Sequence, residues 1–249
     1  MSIAVSQDTA FLEEVRRIAA GVAAEHADEV DREARFPIEA IDALREVRAL
    51  SAFVPADLGG GGVSFAALAE ACFELGRRCG ATTMVFAMHQ IQVASIVRHL
   101  EPGSWYESYL RELSAGQRLI ASVTSEVGTG GDMGASIAAV EPKGGGMCSF
   151  EKQAPVVSYG AYGDDLFTTV RRGPDAERSD QVLVLTSKEQ TELELTGTWD
   201  PMGMRGTCSP GYVVRAEFPD EQVFTGAPFA AVMPEAMVPI THNLWSQLW

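Results

Sequence analysis

The sequence predicts an α+β multidomain chain: an N-terminal α-helical domain, a central antiparallel β-barrel or sandwich domain, and the start of a C-terminal helical bundle. Three observations predict it. Apolar residues recur at close to the helical period up to Gly116 and at close to a period of two beyond it. Turn residues then return at short intervals as far as Phe218, as a sandwich or barrel of short strands requires. From Pro234 the helical spacing comes back in Ile240, Leu244, Trp245, Leu248 and Trp249. Helices and strands are segregated rather than alternating, which argues against a doubly wound α/β fold. The expected domains are 1–117, 118–231 and 232–249.

In the first segment, Ser6 or Asp8 can cap a helix whose apolar positions are Phe11, Leu12, Val15, Ile18, Ala19 and Val22. Pro37 stands at the first turn of a second helix carrying Ile38, Ile41, Leu44 and Val47. Ala52 to Pro55 reads as extended, and Asp57 to Gly62 as a loop. Ser64 caps a third helix with Phe65, Leu68, Cys72 and Phe73 inward. From Ala81 to Leu100 apolar residues cover most of a helix circumference, so this helix is expected to be buried on several sides. His89 and Gln90 interrupt it. A lone histidine without partners at ligand spacing is expected to hydrogen-bond in the core rather than to bind metal. Pro102 to Ser114 is a last short helix, closed by Gly116.

The β segment reads as strands at Leu119–Thr124, Ala138–Glu141, Met147–Phe150, Ala154–Val157, Leu166–Arg171, Val182–Thr186, Leu193–Leu195 and Tyr212–Phe218, with turns such as Pro142–Gly146 between them. In the last segment the apolar stripe Ile240–Trp249 is poorly placed in water. It is expected to be covered by more of a helical domain or by another chain.

Composition narrows the function classes. The 249 residues are 46% hydrophobic, enough for one large core or two smaller ones. No run of apolar residues is long enough to span a membrane, and the N-terminus lacks a basic region followed by an apolar one, so neither a span nor a secretory leader is expected. Cys72, Cys79, Cys148 and Cys208 show no CxxC spacing, which argues against zinc and disulfide frameworks and fits a cytoplasmic location. A net charge of −15 repels nucleic acid and anionic lipid.

The stretch with the most chemistry is Leu119 to Gly134. It begins as a strand and ends as a loop with Gly128, Gly130, Gly131 and Gly134. Ser122, Thr124 and Ser125 place hydroxyls where strand becomes loop, and the glycines let amides turn toward a ligand. The residues leave two readings open, a plain turn and a ligand loop. No GKS or GKT follows, and no helix follows the glycines directly, so neither the phosphate loop of nucleotide hydrolases nor the dinucleotide fingerprint fits.

Several motifs, in this order and spacing, resemble those of the acyl-CoA dehydrogenase family of flavoproteins. Val123-Thr124-Ser125-Glu126-Val127-Gly128-Thr129-Gly130-Gly131-Asp132 is similar to the family's flavin motif, usually near V-T-E-P-G-A-G-S-D. Lys152-Gln153-Ala154-Pro155-Val156-Val157-Ser158-Tyr159-Gly160 resembles its second flavin strand, usually near K-x-W-I-T-N-G. Asp200 to Ser209 resembles L-G-M-R-G-T-x-S. The resemblance implies FAD as cofactor and an acyl-CoA or acyl-carrier thioester as substrate. The reaction implied is α,β-dehydrogenation with hydride transfer to the flavin. It also implies an electron-transfer flavoprotein or similar acceptor, and a homo- or hetero-oligomer.

Carried over residue by residue, it implies that Ser122, Val123, Thr124 and Ser125 meet the pyrimidine side of the flavin. Val156, Val157 and Ser158 line the other flavin strand, with the Ser158 hydroxyl near the hydride-accepting nitrogen. Gly130, Gly131 and Asp132 lie near the pyrophosphate or the acyl-CoA entry. Arg205 has two readings of equal weight, substrate binding and a domain-bridging salt bridge.

The sequence departs from the family at Gly131, where a serine is usual, and at Val156, where a tryptophan is usual. No catalytic residue matches the family's carboxylate base, which is expected outside this segment. Two other readings stand beside the dehydrogenase: a flavin monooxygenase or oxidase on the same fold, and a non-catalytic subunit that binds a companion chain through Ile240–Trp249.

Overall fold

A computed structural model describes residues 6–248. Helix α1 (Gln7–Ile18) starts where Ser6 Oγ accepts the Thr9 N–H at 3.2 Å. Asp8 does not cap α1. Its carboxylate receives the Ser64 N–H and hydroxyl at 2.8 and 2.7 Å, and Ser64 in turn caps α4 (Phe65–Gly76). The apolar spacing gave no sign of α2 (Ala24–Arg32). The chain passes a wide turn at Ala19–Ala23, where Gly21 leaves helical angles (φ −97°, ψ −108°), and then continues helical. Helix α3 (Ile38–Glu46) begins at Pro37.

The extended stretch expected at Ala52–Pro55 is instead a series of tight turns, with Ala52 N–H bonded to Ala49 O and Val54 N–H to Ser51 O. Phe73, expected inward, is 44% exposed, with the Arg77 guanidinium 5.5 Å from its ring centre. It follows Cys72 by one residue, about 100° around a helix, while Leu68, Cys72 and Leu75 face the core.

Helix α5 (Gly80–Arg98) is the axis of the helical part and is buried along most of its length. Its two polar interruptions bond within the core as expected. His89 Nε2 meets Leu50 O at 2.7 Å, and its Nδ1 accepts the Ile120 N–H at 3.0 Å, so the ring carries its proton on Nε2. Gln90 Nε2 donates to the Ala49 and Leu50 carbonyls. Burial in this apolar setting pushes the His89 pKa down to about 4. Helix α6 (Trp105–Gly116) ends at Gln117, which takes the left-handed conformation (φ 49°).

Two sheets follow. One runs β1 (Ile120–Val123), β4 (Asp165–Arg171), β5 (Gln181–Ser187), with β1 parallel to β4. The other is antiparallel and runs β2 (Glu141–Gly144), β3 (Met147–Ala154), β7 (Tyr212–Pro219), β6 (Thr191–Leu195). The expected antiparallel barrel or sandwich domain is found as two antiparallel-rich sheets, with two differences. Among the described residues the sheets form no closed barrel, and one pair is parallel. The long connection from β1 to β4 contains the β2–β3 hairpin, and it is this length that allows a parallel partner.

Of the expected strand at Ala138–Glu141, Ala139 forms a single bridge to Arg171 and Glu141 opens β2. Pro142 and Lys143, expected in a turn, belong to β2. Strand β3 runs on past the expected Met147–Phe150 as far as Ala154, and the rest of the expected strand Ala154–Val157 lies outside it, beyond Pro155, which has no N–H to donate.

The chain finishes with α7 (Phe229–Val232), a wide turn over Met233–Met237, and α8 (Val238–Leu248). Helix α8 packs on α4 and α5 and buries Ile240, Leu244 and Leu248. The expectation that this stripe needs another domain or chain is thereby corrected for these residues. Trp249 lies outside the described residues.

Candidate functional site

The site is built where β1 ends. Ser158 N–H donates to Ser122 O at 3.1 Å, forming one antiparallel bridge between the two predicted flavin segments. Further along, Ser125 Oγ donates to Val156 O at 2.7 Å and meets the Val156 N–H at 3.2 Å. Pro155 has just taken the chain out of β3, so Val156 has lost its strand partner, and the serine side chain supplies both bonds. On the far side, Val157 N–H donates to Pro210 O and Tyr159 N–H to Ser209 Oγ. Tyr159 OH reaches back to Ile120 O at 2.8 Å. The 155–159 segment is thus held on both sides.

This clasp forms one wall of a cavity of about 570 Å³. Thr124, Val156 and Ser158 line that wall. Met84 and Met88 enter from α5, Trp199 and Met204 from the loop before β7, and Trp245 from α8. No charged side chain lines the cavity among the described residues. The Nε1–H groups of Trp199 and Trp245 are buried without a hydrogen-bond partner, as is Ser122 Oγ. Buried donors are normally paired, so unpaired ones on a cavity wall mark where a ligand's acceptors fit. Flat apolar walls, free N–H donors and hydroxyls at one edge match the needs of a planar heterocycle rich in acceptors, so the residues present fit a flavin.

The predicted site residues separate into three groups. Thr124, Val156 and Ser158 line the cavity together. Val123 and Val157 are buried in the core, Ser122 is buried beneath the edge, and Ser125 is the clasp. Gly130, Gly131 and Asp132 lie apart, on an exposed loop. Both glycines have positive φ (66° and 87°), and Asp132 Oδ1 accepts the Gly134 N–H at 2.8 Å. Arg205 also lies off the cavity. Its guanidinium is ion-paired with Asp31 of α2 and donates to the Asp31 carbonyl, bridging two parts of the chain. The neighbouring Gly206 is required by close approach: a Cβ there would collide with Val30 and the Arg35 carbonyl.

Glu126, beside the clasp, is a buried structural acceptor. It receives the Ile137 and Ala138 N–H groups at 3.0 and 2.6 Å and the Ser136 hydroxyl at 2.6 Å. Sequence reasoning gave no role to Trp199, Met204 or Lys152. A signal existed for Lys152: Phe150, Lys152 and Ala154 alternate as inward positions of β3, and the middle one is charged.

Residues 6–117 match the family model described as acyl-CoA dehydrogenase, N-terminal domain. Over that domain the chain is similar to the acyl-CoA dehydrogenase family. It is 24% identical over 185 residues to the probable acyl-CoA dehydrogenase YngJ of Bacillus subtilis (strain 168), covering 74% of this chain and 48% of that one. It is 28% identical over 136 residues to acryloyl-CoA reductase (NADH) of Anaerotignum propionicum, covering 54% and 34%. The chain therefore spans between about a third and a half of the length of these curated relatives. Among solved structures, FMN-bound TdsC of Paenibacillus sp. A11-2, a dibenzothiophene monooxygenase, superposes with a TM-score of 0.83 at 19% identity, covering 96% of this chain and 61% of that one. At that identity the likeness carries the fold. No helix among the described residues is long and apolar enough to cross a membrane.

Proposed function

We propose that this chain is the flavin-binding part of an oxidoreductase of the acyl-CoA dehydrogenase type. The observation that carries the reading is that Thr124 and Ser158, from segments far apart in sequence, line one wall of an uncharged cavity walled by two indoles. In this reading the Thr124 and Ser158 hydroxyls donate to acceptors along one edge of the ring. Trp199 and Trp245 flank it and exclude water, and their N–H groups gain the partners they lack. Met84 and Met88 shape the space for an apolar acyl group. FAD, when bound, supplies a hydride acceptor for α,β-dehydrogenation of an acyl-CoA or acyl-carrier thioester, with electrons leaving to an electron-transfer flavoprotein or similar acceptor. The α-proton needs a base from outside the described cavity wall, since Glu126 is enclosed by its own hydrogen bonds.

A second reading, a flavin monooxygenase, is favoured by one observation. Val156 stands where the family usually has tryptophan, leaving room beside the edge of the cavity that it lines. Anaerobic mixing of the reconstituted protein with a panel of acyl-CoA thioesters separates the two. Bleaching of the flavin spectrum without oxygen supports dehydrogenation. Substrate-dependent oxygen uptake with a hydroxylated product supports the second reading.

A further inference from the structure

Lys152 is buried on β3, between Phe150 and Ala154, where an apolar side chain would serve the core at no desolvation cost. Burying an ammonium costs several kcal/mol unless it is well partnered. Its partners show what it holds. Nζ donates to Thr169 O at 2.6 Å and to Thr169 Oγ1 at 2.8 Å, and it lies 3.4 Å from Thr124 O. The charged group facing it among the described residues is Glu126, whose Oε2 is 3.6 Å away and already receives the Ser136 hydroxyl.

These contacts occupy a particular place. The β1–β4 ladder ends at the pair Val123–Thr168. The next residues, Thr124 and Thr169, both point a carbonyl at the ammonium, so Lys152 continues the pairing where the ladder stops. The carbonyl of Thr124 and the N–H of Ser125 are two ends of one peptide group. No peptide bond is cis among the described residues, so that N–H points away from the ammonium. A cation at the carbonyl end polarises the group and strengthens the N–H as a donor.

We propose that Lys152 is a positioning residue: it fixes and polarises the Thr124–Ser125 peptide so that the edge formed by Thr124 favours negative charge on whatever occupies the cavity. What occupies it rests on the flavin reading above. The geometry of the ammonium does not. Burial also pushes the Lys152 pKa down to about 8, with Glu126 opposing the fall, which places its loss of charge within reach of a titration.

The experiment has two arms, on wild type, Lys152→Met and Lys152→Arg. In the unliganded protein, the amide resonance of Ser125 is followed by NMR as pH is raised through about 8. It is expected to titrate in wild type and to stay flat in Lys152→Met. In the flavin-reconstituted protein, Lys152→Met is expected to shift the equilibrium between oxidised and reduced cofactor at least tenfold toward oxidised, about 30 mV for a two-electron couple. Lys152→Arg keeps the charge and is expected to recover most of that shift. A Ser125 resonance that does not respond in wild type overturns the proposal. So does a Lys152→Met protein that binds flavin at the wild-type potential. If wild type takes no flavin, the functional reading falls and the resonance alone decides this inference. If Lys152→Met does not fold, the wild-type titration decides it.

Discussion

The two parts of the motif that resembles the family's flavin loop behave differently in the fold. Ser122 to Ser125 is tied at every residue: to Ser158 through a backbone bridge at Ser122, to Thr168 through the ladder at Val123, to Lys152 through the Thr124 carbonyl, and to Val156 through the Ser125 hydroxyl. Gly128 to Gly134, only a few residues on, stands open. A Cβ at Gly130 or Gly131 would meet nothing within 4 Å, so these glycines answer to backbone angles and not to crowding. One motif thus contains a rigid edge and an adaptable loop. Preorganised donors suit a ring that must be held in one pose, and an open glycine loop suits a ligand that arrives later or from elsewhere. Substitutions in the two parts should therefore differ in kind.

The largest effect is expected beneath the rigid edge. Glu126→Ala leaves the Lys152 ammonium and three hydrogen-bond donors without their carboxylate, and breaking a buried pair this way costs about 3–5 kcal/mol. Urea denaturation measures it. A loss below about 1 kcal/mol would mean that the edge is not held from below.

A second effect comes from pH. His89 is neutral in the fold, with its pKa pushed down to about 4 by burial, whereas the unfolded chain titrates near 6.5. Between those values the unfolded chain binds more protons, so the histidine's contribution is full above about pH 6.5 and falls away as pH drops toward 4. The total is on the order of 3 kcal/mol, and His89→Gln should flatten that part of the stability curve. An unchanged curve would contradict the neutral core role.

Ser125→Ala tests the clasp. It removes both side-chain bonds to Val156, with an expected stability loss of about 1 kcal/mol because water reaches this half-buried residue. The greater consequence should be weaker flavin binding, since Val156 on the cavity wall loses its attachment to the Ser125 side chain. Gly131→Ala, on the open loop, should cost about 1 kcal/mol from its positive φ and leave flavin affinity at the ring edge unchanged. If Gly131→Ala weakens flavin binding more than Ser125→Ala, the division drawn here is wrong.

The smallest effect on stability belongs to Arg205→Ala. Its pair with Asp31 is partly exposed, and such bridges contribute below about 1 kcal/mol. A change in KM for an acyl thioester with stability unchanged would favour the substrate role over the bridge.

Much of this was legible in the sequence. The helical axis with its bonded His89 and Gln90, the β-rich segment after Gly116 and the crossing of the Ser122 and Ser158 segments follow from periodicity and from the quoted motifs. What was not legible depends on packing at a distance. The break at Gly21 leaves the apolar period intact, so no pattern announces it. The split into two open sheets depends on β1 finding a parallel partner across a long connection, and local alternation carries no such information. Trp199 stands in an irregular loop and Trp245 on a stripe that reads as a face for another domain or chain, and only the tertiary fold brings the two indoles to one cavity. The role of Lys152 was half visible, as a charge at an inward position, but its partners Thr124 and Thr169 come from other strands.

The central claim is that Thr124 and Ser158 together form the edge that holds a flavin. A titration of the protein with FAD, read by the visible spectrum, tests it most directly when wild type is compared with the Thr124→Val/Ser158→Ala double variant. The account predicts saturable binding by wild type and an affinity roughly a hundredfold lower in the double variant, about tenfold for each lost hydrogen bond. Equal binding by both proteins, or no binding by a folded wild type, would contradict it.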